Sequence, residues 1–188
     1  HQRATRAIKE GRFKREIVPV AIKSKKGVVN FEVDEHPILD ASLEAMGALK
    51  PAFKEGGVVT AANASGINDA AAAAILMTKK KAKELGIKPI MKLINICCEG
   101  VDPKYMGLGP AVVIPKALKQ GGIKFEDVHY WEINEAFASQ FLGCGVMLKN
   151  DYGMVLDMER CNVNGSGIAL GHPVGCTALR ICVSLYYE

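Results

Sequence analysis

The chain has 188 residues, 49% hydrophobic and 23% charged, with a net charge of +4. That length holds one domain, or one and a fraction, with room for a sizeable core, and no apolar run approaches the roughly 18 residues of a membrane span. The charge is uneven: residues 1–26 carry nine Lys or Arg against Glu10 and Glu16, a local +7 that leaves −3 for the rest, and with Phe13 as the only aromatic there nucleic acid is a poor partner.

In chain order, residues 2–11 predict a helix with Ala4, Ala7 and Ile8 on one side and Gly11 at its end. The basic start reads either as a solvated helix face or as a surface that attracts phosphates. Residues 17–22 and 28–33 predict extended pieces around the charged turn at 23–27. Residues 43–49 predict a short helix closed by Pro51. The run 70–77 is apolar on every side, which fits a buried helix or a covered strand. A strand is expected, because Thr78 is a good N-cap, 79–85 are strong helix formers and Gly86 suits the stop. Next come a strand at 90–98, a helix at 109–119, a strand at 128–133, and helices at 135–149 and 173–187. This alternation predicts an α/β layer structure in which helices cover a mostly parallel sheet.

The six cysteines (Cys97, Cys98, Cys144, Cys161, Cys176 and Cys182) form no C-x-x-C pair and no zinc-type spacing with histidine. A metal site is not expected, and each thiol is expected as a small buried hydrophobe in a reducing compartment. The chain starts at His1 without a methionine or a signal-like stretch, so the native N-terminus, with any targeting peptide, is expected outside it. A cytoplasmic location is expected, with an organellar matrix left open.

Three polar clusters stand out. The stretch NVNGSGIALGHPVGCTALR, residues 162–180, places His172 just before Pro173, where a helix is expected to open. A helix N-terminus favours the neutral imidazole, the form that takes a proton; the alternative is a glycine-rich turn with a structural histidine. Gly165, Gly167 and Gly171 free that backbone. Asn134 and Glu135 fall where an expected strand meets a helix, and ligands of α/β sheets bind at such strand ends. The cluster at 63–69, NASGIND, supplies ligand hydrogen bonds or is only an Asx-rich turn.

With VDPKYMGLGP at 101–110, NASGIND, NEAFA at 134–138 and NGSGIALGHPVG at 164–175 resemble four signatures of the thiolases, in the family's order, across essentially all 188 residues. Thiolases condense two acetyl-CoA to acetoacetyl-CoA, or cleave 3-ketoacyl-CoA, through a cysteine acyl-enzyme. The resemblance implies the family's layered α/β/α/β/α fold of two βαβαβαββ halves, here incomplete. Residues 1–64 are similar to the end of the loop domain, 65–86 to the last strand of the first half with its connecting helix, and 87–188 to most of the second half with its final strands missing.

By this resemblance His172 is the base that activates the nucleophilic cysteine and a donor to the thioester oxygen, and Asn134 holds a water in the oxyanion site. Glu135 orients neighbours and Gly171 supports the histidine loop. Ser65 lies along the pantetheine arm, and Met106 lines the acyl pocket. The resemblance implies coenzyme A or acetyl-CoA as substrate, no permanently bound cofactor, and a homo-oligomer, dimer or tetramer. Neither catalytic-cysteine motif is among the 188 residues, so the nucleophile is expected outside this chain. Cys176, near His172, matches a variable position. Ser166-Gly167 departs from the usual Gly-Ala, and Ala178-Leu179 puts bulk where Gly-Ala or Gly-Gly is usual. A noncatalytic acyl-CoA-binding subunit is the alternative reading; a dinucleotide enzyme fails on glycine spacing and on the missing ribose-binding acid.

Overall fold

The computed structural model describes residues 1–188. Helix boundaries follow local chemistry. α1 (Gln2–Glu10) stops at Gly11. An antiparallel hairpin pairs β1 (Val20–Ser24) with β2 (Gly27–Phe31), Ile22 opposite Val29. α2 (Leu43–Gly47) begins where Ser42 Oγ accepts from Ala45 N, and α3 (Lys79–Glu84) where Thr78 Oγ1 accepts from Lys81 N. α4 (Gly109–Gly121) and α5 (Ala138–Tyr152) are the two long helices of the second half, followed by a single turn, α6 (Gly167–Leu170), and by α7 (Thr177–Tyr187).

Two helices start later than their sequences suggest. α5 begins at Ala138 rather than Glu135, because the preceding backbone bonds elsewhere: Glu135 N donates to Ser166 Oγ, and Ala136 O accepts from Ser65 N. α7 begins at Thr177 rather than Pro173, since residues 174–176 form a turn whose Cys176 N–H closes on Pro173 O at 2.7 Å.

The expected strands differ more. The only ladder is the hairpin, and residues 70–77 and 90–98 pair with nothing. A strand needs a neighbour about 4.8 Å away to receive its backbone bonds, and no other segment forms a ladder with these two. Their apolar side chains stand open, with Ile75 88% and Ile96 74% exposed. The accessible surface is 13513 Å², against about 8,800 Å² for a compact monomer of this mass. Only 22 of the 188 residues are buried, so the sizeable core expected from length is confined to one region.

That region is the contact between α4, α5 and the segments beside them. Ala111, Ile133, Phe141, Cys144, Leu148, Leu156 and Cys161 form the buried cluster, and the ring of Phe125 lies 5.2 Å from that of Trp131 at its edge. Cys144 and Cys161 are buried as expected, and burial pushes the Cys161 thiol up to about 11. The expectation fails for Cys97 and Cys176, which are half-buried, and for Cys98 and Cys182, which are exposed, because no part of the chain covers those faces.

Glu132, beside this core, sits with Glu16 near Arg180, whose Nε and Nη2 are buried without a hydrogen-bond partner. Burial outweighs the pull of Arg180 and raises the Glu132 carboxyl from 4.5 to about 7. The folded state then binds more protons than the unfolded chain across that window. The associated stability is present at the acidic end and is lost as pH rises toward 7. In the complete polypeptide, Glu132 is therefore expected to lower the unfolding free energy by up to about 3 kcal/mol between the two ends of this window. Urea titrations across the window should show a flatter pH dependence in Glu132→Gln; equal slopes contradict the assignment.

Candidate active site

Asn162 ties the two halves of the site together. Its backbone N donates to Trp131 O at 2.8 Å while Trp131 N donates to Arg160 O, which makes a single parallel bridge between 131 and 161. The next rung is made by a side chain: Asn162 Oδ1 accepts from Ile133 N at 2.9 Å and Nδ2 donates to Ile133 O at 2.8 Å. The expected strand at 128–133 is thus one bridge plus a carboxamide that copies a peptide group. Asn162 is 1% exposed and holds φ 48°, a left-handed conformation that asparagine tolerates. Its Nδ2 also donates to Glu135 Oε1 at 2.8 Å.

Ser166, 1% exposed, completes the join. Its Oγ accepts from Glu135 N at 3.2 Å and lies 3.4 Å from Ile133 O, to which it donates. Next to it, a Cβ on Gly167 would fall 2.7 Å from both Asn134 Oδ1 and Glu135 O. The Ser166-Gly167 pair is consequently coupled: the serine adds a bond to the Asn134-Glu135 segment, and the glycine lets that segment close in. Asn134 Oδ1 is buried against it and receives no hydrogen bond from the protein.

The NASGIND cluster joins from the other side. Ser65 N donates to Ala136 O and Ala138 N to Asn63 O, giving an antiparallel bridge between Ala64 and Phe137. Gly66 O then accepts from His172 N at 2.9 Å. Gly171, at φ 87°, needs glycine twice, since a Cβ would also fall 2.2 Å from Asn68 Oδ1. Backbone bonds therefore bring Ser65, Asn134, Glu135, Gly171 and His172 together.

Because α7 starts at Thr177, His172 is not at a helix N-terminus, and the dipole argument for its neutral form does not apply. A hydroxyl instead sets which ring nitrogen carries the proton in the neutral ring. Thr177 Oγ1 donates to Pro173 O at 3.0 Å, which spends its one proton, so at 2.7 Å from His172 Nδ1 it accepts from an Nδ1–H. Nε2 keeps the lone pair. Thr177, Asn162 and Asn68 lie inside the polar stretches singled out in the sequence but had no role assigned there; the side-chain geometry supplies it.

Met106 is brought less close. It lies on the 3₁₀ turn Pro103–Leu108, held to the first turns of α5 by the packing of Gly107 on Gln140 and by Cys144 Sγ, which donates to Gly107 O at 3.2 Å; Met106 itself is 73% exposed. Ala178 is exposed, whereas Leu179 lines the groove beside the histidine loop. A shallow groove of about 440 Å³ runs past Asn68, Asp69, Pro173, Val174 and Cys176, beside His172 rather than over it. Of the basic start, Arg3 bonds Met158 O at 2.8 Å, Arg12 pairs with Glu10 and Glu188, and Arg15 lies 5.1 Å from the Tyr187 ring centre. Those three cations serve the fold. No group of three or more His, Cys, Asp or Glu converges as metal ligands would, and no helix is long and apolar enough to cross a membrane.

A histidine, an asparagine and a serine are joined here through three loops, and sequence comparison gives the family. Residues 1–80 match the model of the thiolase N-terminal domain and residues 87–188 that of the thiolase C-terminal domain. The chain belongs to the thiolase family. It is 54% identical over 185 residues to an acetyl-CoA acetyltransferase of Syntrophomonas wolfei, covering 98% of this chain and 46% of that protein. It is 47% identical over 189 residues to the beta-ketothiolase BktB of Cupriavidus necator, again covering 46% of the relative. The solved acetyl-CoA acetyltransferase from Syntrophomonas wolfei superposes with a TM-score of 0.97 at 67% identity, over 100% of this chain and 47% of that one. Human mitochondrial 3-ketoacyl-CoA thiolase superposes with a TM-score of 0.86 at 36% identity, over 100% and 46%. The chain spans about half the length of the curated relatives it matches. Its backbone thus follows the α/β thiolase-like fold even where ladders are unpaired.

The Asn162 clasp makes a stability prediction. Asn162→Ala leaves Ile133 N–H buried without a partner and Ile133 O with only the 3.4 Å bond from Ser166 Oγ, which is expected to cost about 1–3 kcal/mol. Chemical denaturation of the complete polypeptide measures it, and a loss near zero contradicts the clasp.

Proposed function

We propose that the protein to which this chain belongs is an acyl-CoA acetyltransferase of the thiolase type. It condenses two acetyl-CoA to acetoacetyl-CoA or cleaves 3-ketoacyl-CoA, through a cysteine acyl-enzyme whose nucleophile lies outside these 188 residues. The observation that carries this reading is the Thr177–His172 hydrogen bond, which leaves Nε2 as a fixed acceptor on a ring whose backbone is anchored to Gly66. Free cysteine has a pKa of about 8.5, so it needs such a base to react as thiolate near neutral pH. The same ring, once protonated, donates to the thioester oxygen as charge develops there. Asn134, whose Oδ1 has no protein donor, is suited to hold a water at that oxygen. Glu135 orients Asn162. Ser65 lies along the pantetheine arm, Met106 lines the acyl pocket when substrate is bound, and Gly171 gives the loop its closeness to Asn68.

A homo-oligomer, dimer or tetramer, is proposed, as the thiolase family membership implies. A cytoplasmic setting fits six cysteines of which none is paired. Coenzyme A enters as substrate; one of the structurally similar proteins, human mitochondrial 3-ketoacyl-CoA thiolase, is solved in complex with CoA.

Acetoacetyl-CoA thiolysis by the complete protein tests the reading. His172→Ala is expected to lose several orders of magnitude in kcat, and Asn134→Ala about 10²-fold. Thr177→Val, which removes the acceptor of the Nδ1 proton but keeps the shape, is expected to lose about 10-fold. Wild-type turnover in His172→Ala refutes the assignment.

A further inference from the structure

His36 lies in the loop between β2 and α2, on no motif singled out above. Its backbone N donates to Asp34 Oδ1 at 3.1 Å, and the adjoining Pro37 is buried, so the residue is anchored. Its ring Nδ1 is 2.9 Å from Ala169 O. A carbonyl can only accept, so Nδ1 donates the hydrogen bond. Nε2 is pressed against Gly66: a Cβ there would fall 2.0 Å from Nε2 and 2.8 Å from Asn68 Oδ1.

These two contacts bracket His172. Gly66 O receives the His172 N–H, and Ala169 sits in α6, whose Gly167 O receives the Gly171 N–H. The imidazole of His36 therefore spans from the loop that anchors the His172 backbone to the turn that delivers it. We propose that His36 is a positioning residue for His172, a strut that sets the spacing between Gly66 and α6 and thereby the placement of the His172 ring. The strut needs both the ring, which fills the space against Gly66, and the donor, which holds Ala169. Without the donor, Ala169 O loses its side-chain partner and α6 is freer to shift away from the 66–68 loop. A misplacement of about 1 Å at a reacting group costs up to about 10²-fold in rate.

The proposal rests on His172 acting as the base. In the complete protein, His36→Phe keeps the ring and removes the donor, while His36→Asn restores a donor near the position of Nδ1. Kinetics are measured per active site, titrated by the CoA released when acetyl-CoA acylates the enzyme, so that a smaller folded fraction leaves kcat unmoved. Hydrogen exchange is followed in a peptide covering residues 167–174. His36→Phe is expected to speed exchange there and to lower kcat about 10- to 100-fold with KM changed by no more than about twofold, the mark of a contact that matters in the transition state. His36→Asn, which restores the donor without the ring, is expected to recover part of both. Wild-type kcat in His36→Phe, with His172→Ala inactive, overturns the proposal. A fully active His172→Ala overturns the base assignment instead, and exchange alone then decides whether His36 holds the turn.

Discussion

The carboxamide of Asn162 is the contact on which the arrangement depends. Three segments that carry polar groups are far apart in sequence, and none is held by a long β-ladder. One buried side chain takes the place of a peptide group: it receives Ile133 N–H, donates to Ile133 O, and uses its second amide hydrogen on Glu135. Because both backbone groups of Ile133 are buried with it, breaking the clasp leaves donors and acceptors without water, which is costlier than the bonds are individually worth. That cost makes the juxtaposition of 133–135 with 162–166 stiff. From it follow the approach of Asn134 to Gly167 and the bond from Glu135 N to Ser166.

Stiffness at this joint suits the chemistry proposed for the site. An oxyanion donor and a base have to be in place before charge develops, since reorganisation during the reaction would cost much of their benefit. His172 is fixed at two levels: its backbone by Gly66, and its tautomer by Thr177, whose own proton is committed to Pro173. Ser166-Gly167, a departure from the common Gly-Ala, adds a bond to Glu135 N and removes the atom that would collide with Asn134. This chain reaches the family's arrangement with a different pair of small residues.

Much of this was legible in the sequence. Helix ends at Thr78 and Gly11 follow from capping chemistry, which is local and survives in any context. The four motifs identified the family because each has its own spacing of glycine and polar residues. The strands at 70–77 and 90–98 were not legible as observed: an apolar run encodes burial on both faces, and within these 188 residues no segment supplies the ladder or covers both faces. The start of α7 was misplaced for a different reason. Proline at the first turn of a helix is a preference, and here Pro173 instead accepts two N–H groups in a separate turn that delivers Thr177 to the histidine ring. Asn162 was visible as a residue but not as a clasp, since a side chain that substitutes for a rung of a sheet has no sequence signature.

The account turns on which nitrogen of His172 carries the proton. Long-range ¹H–¹⁵N correlation of the histidine rings in the complete, ¹⁵N-labelled protein, with His172 assigned by comparison with His172→Ala, measures this directly. A neutral ring protonated at Nδ1, with an Nε2 shift typical of a free lone pair, is the expected result. A neutral ring protonated at Nε2 would leave no base facing the substrate and would contradict the account.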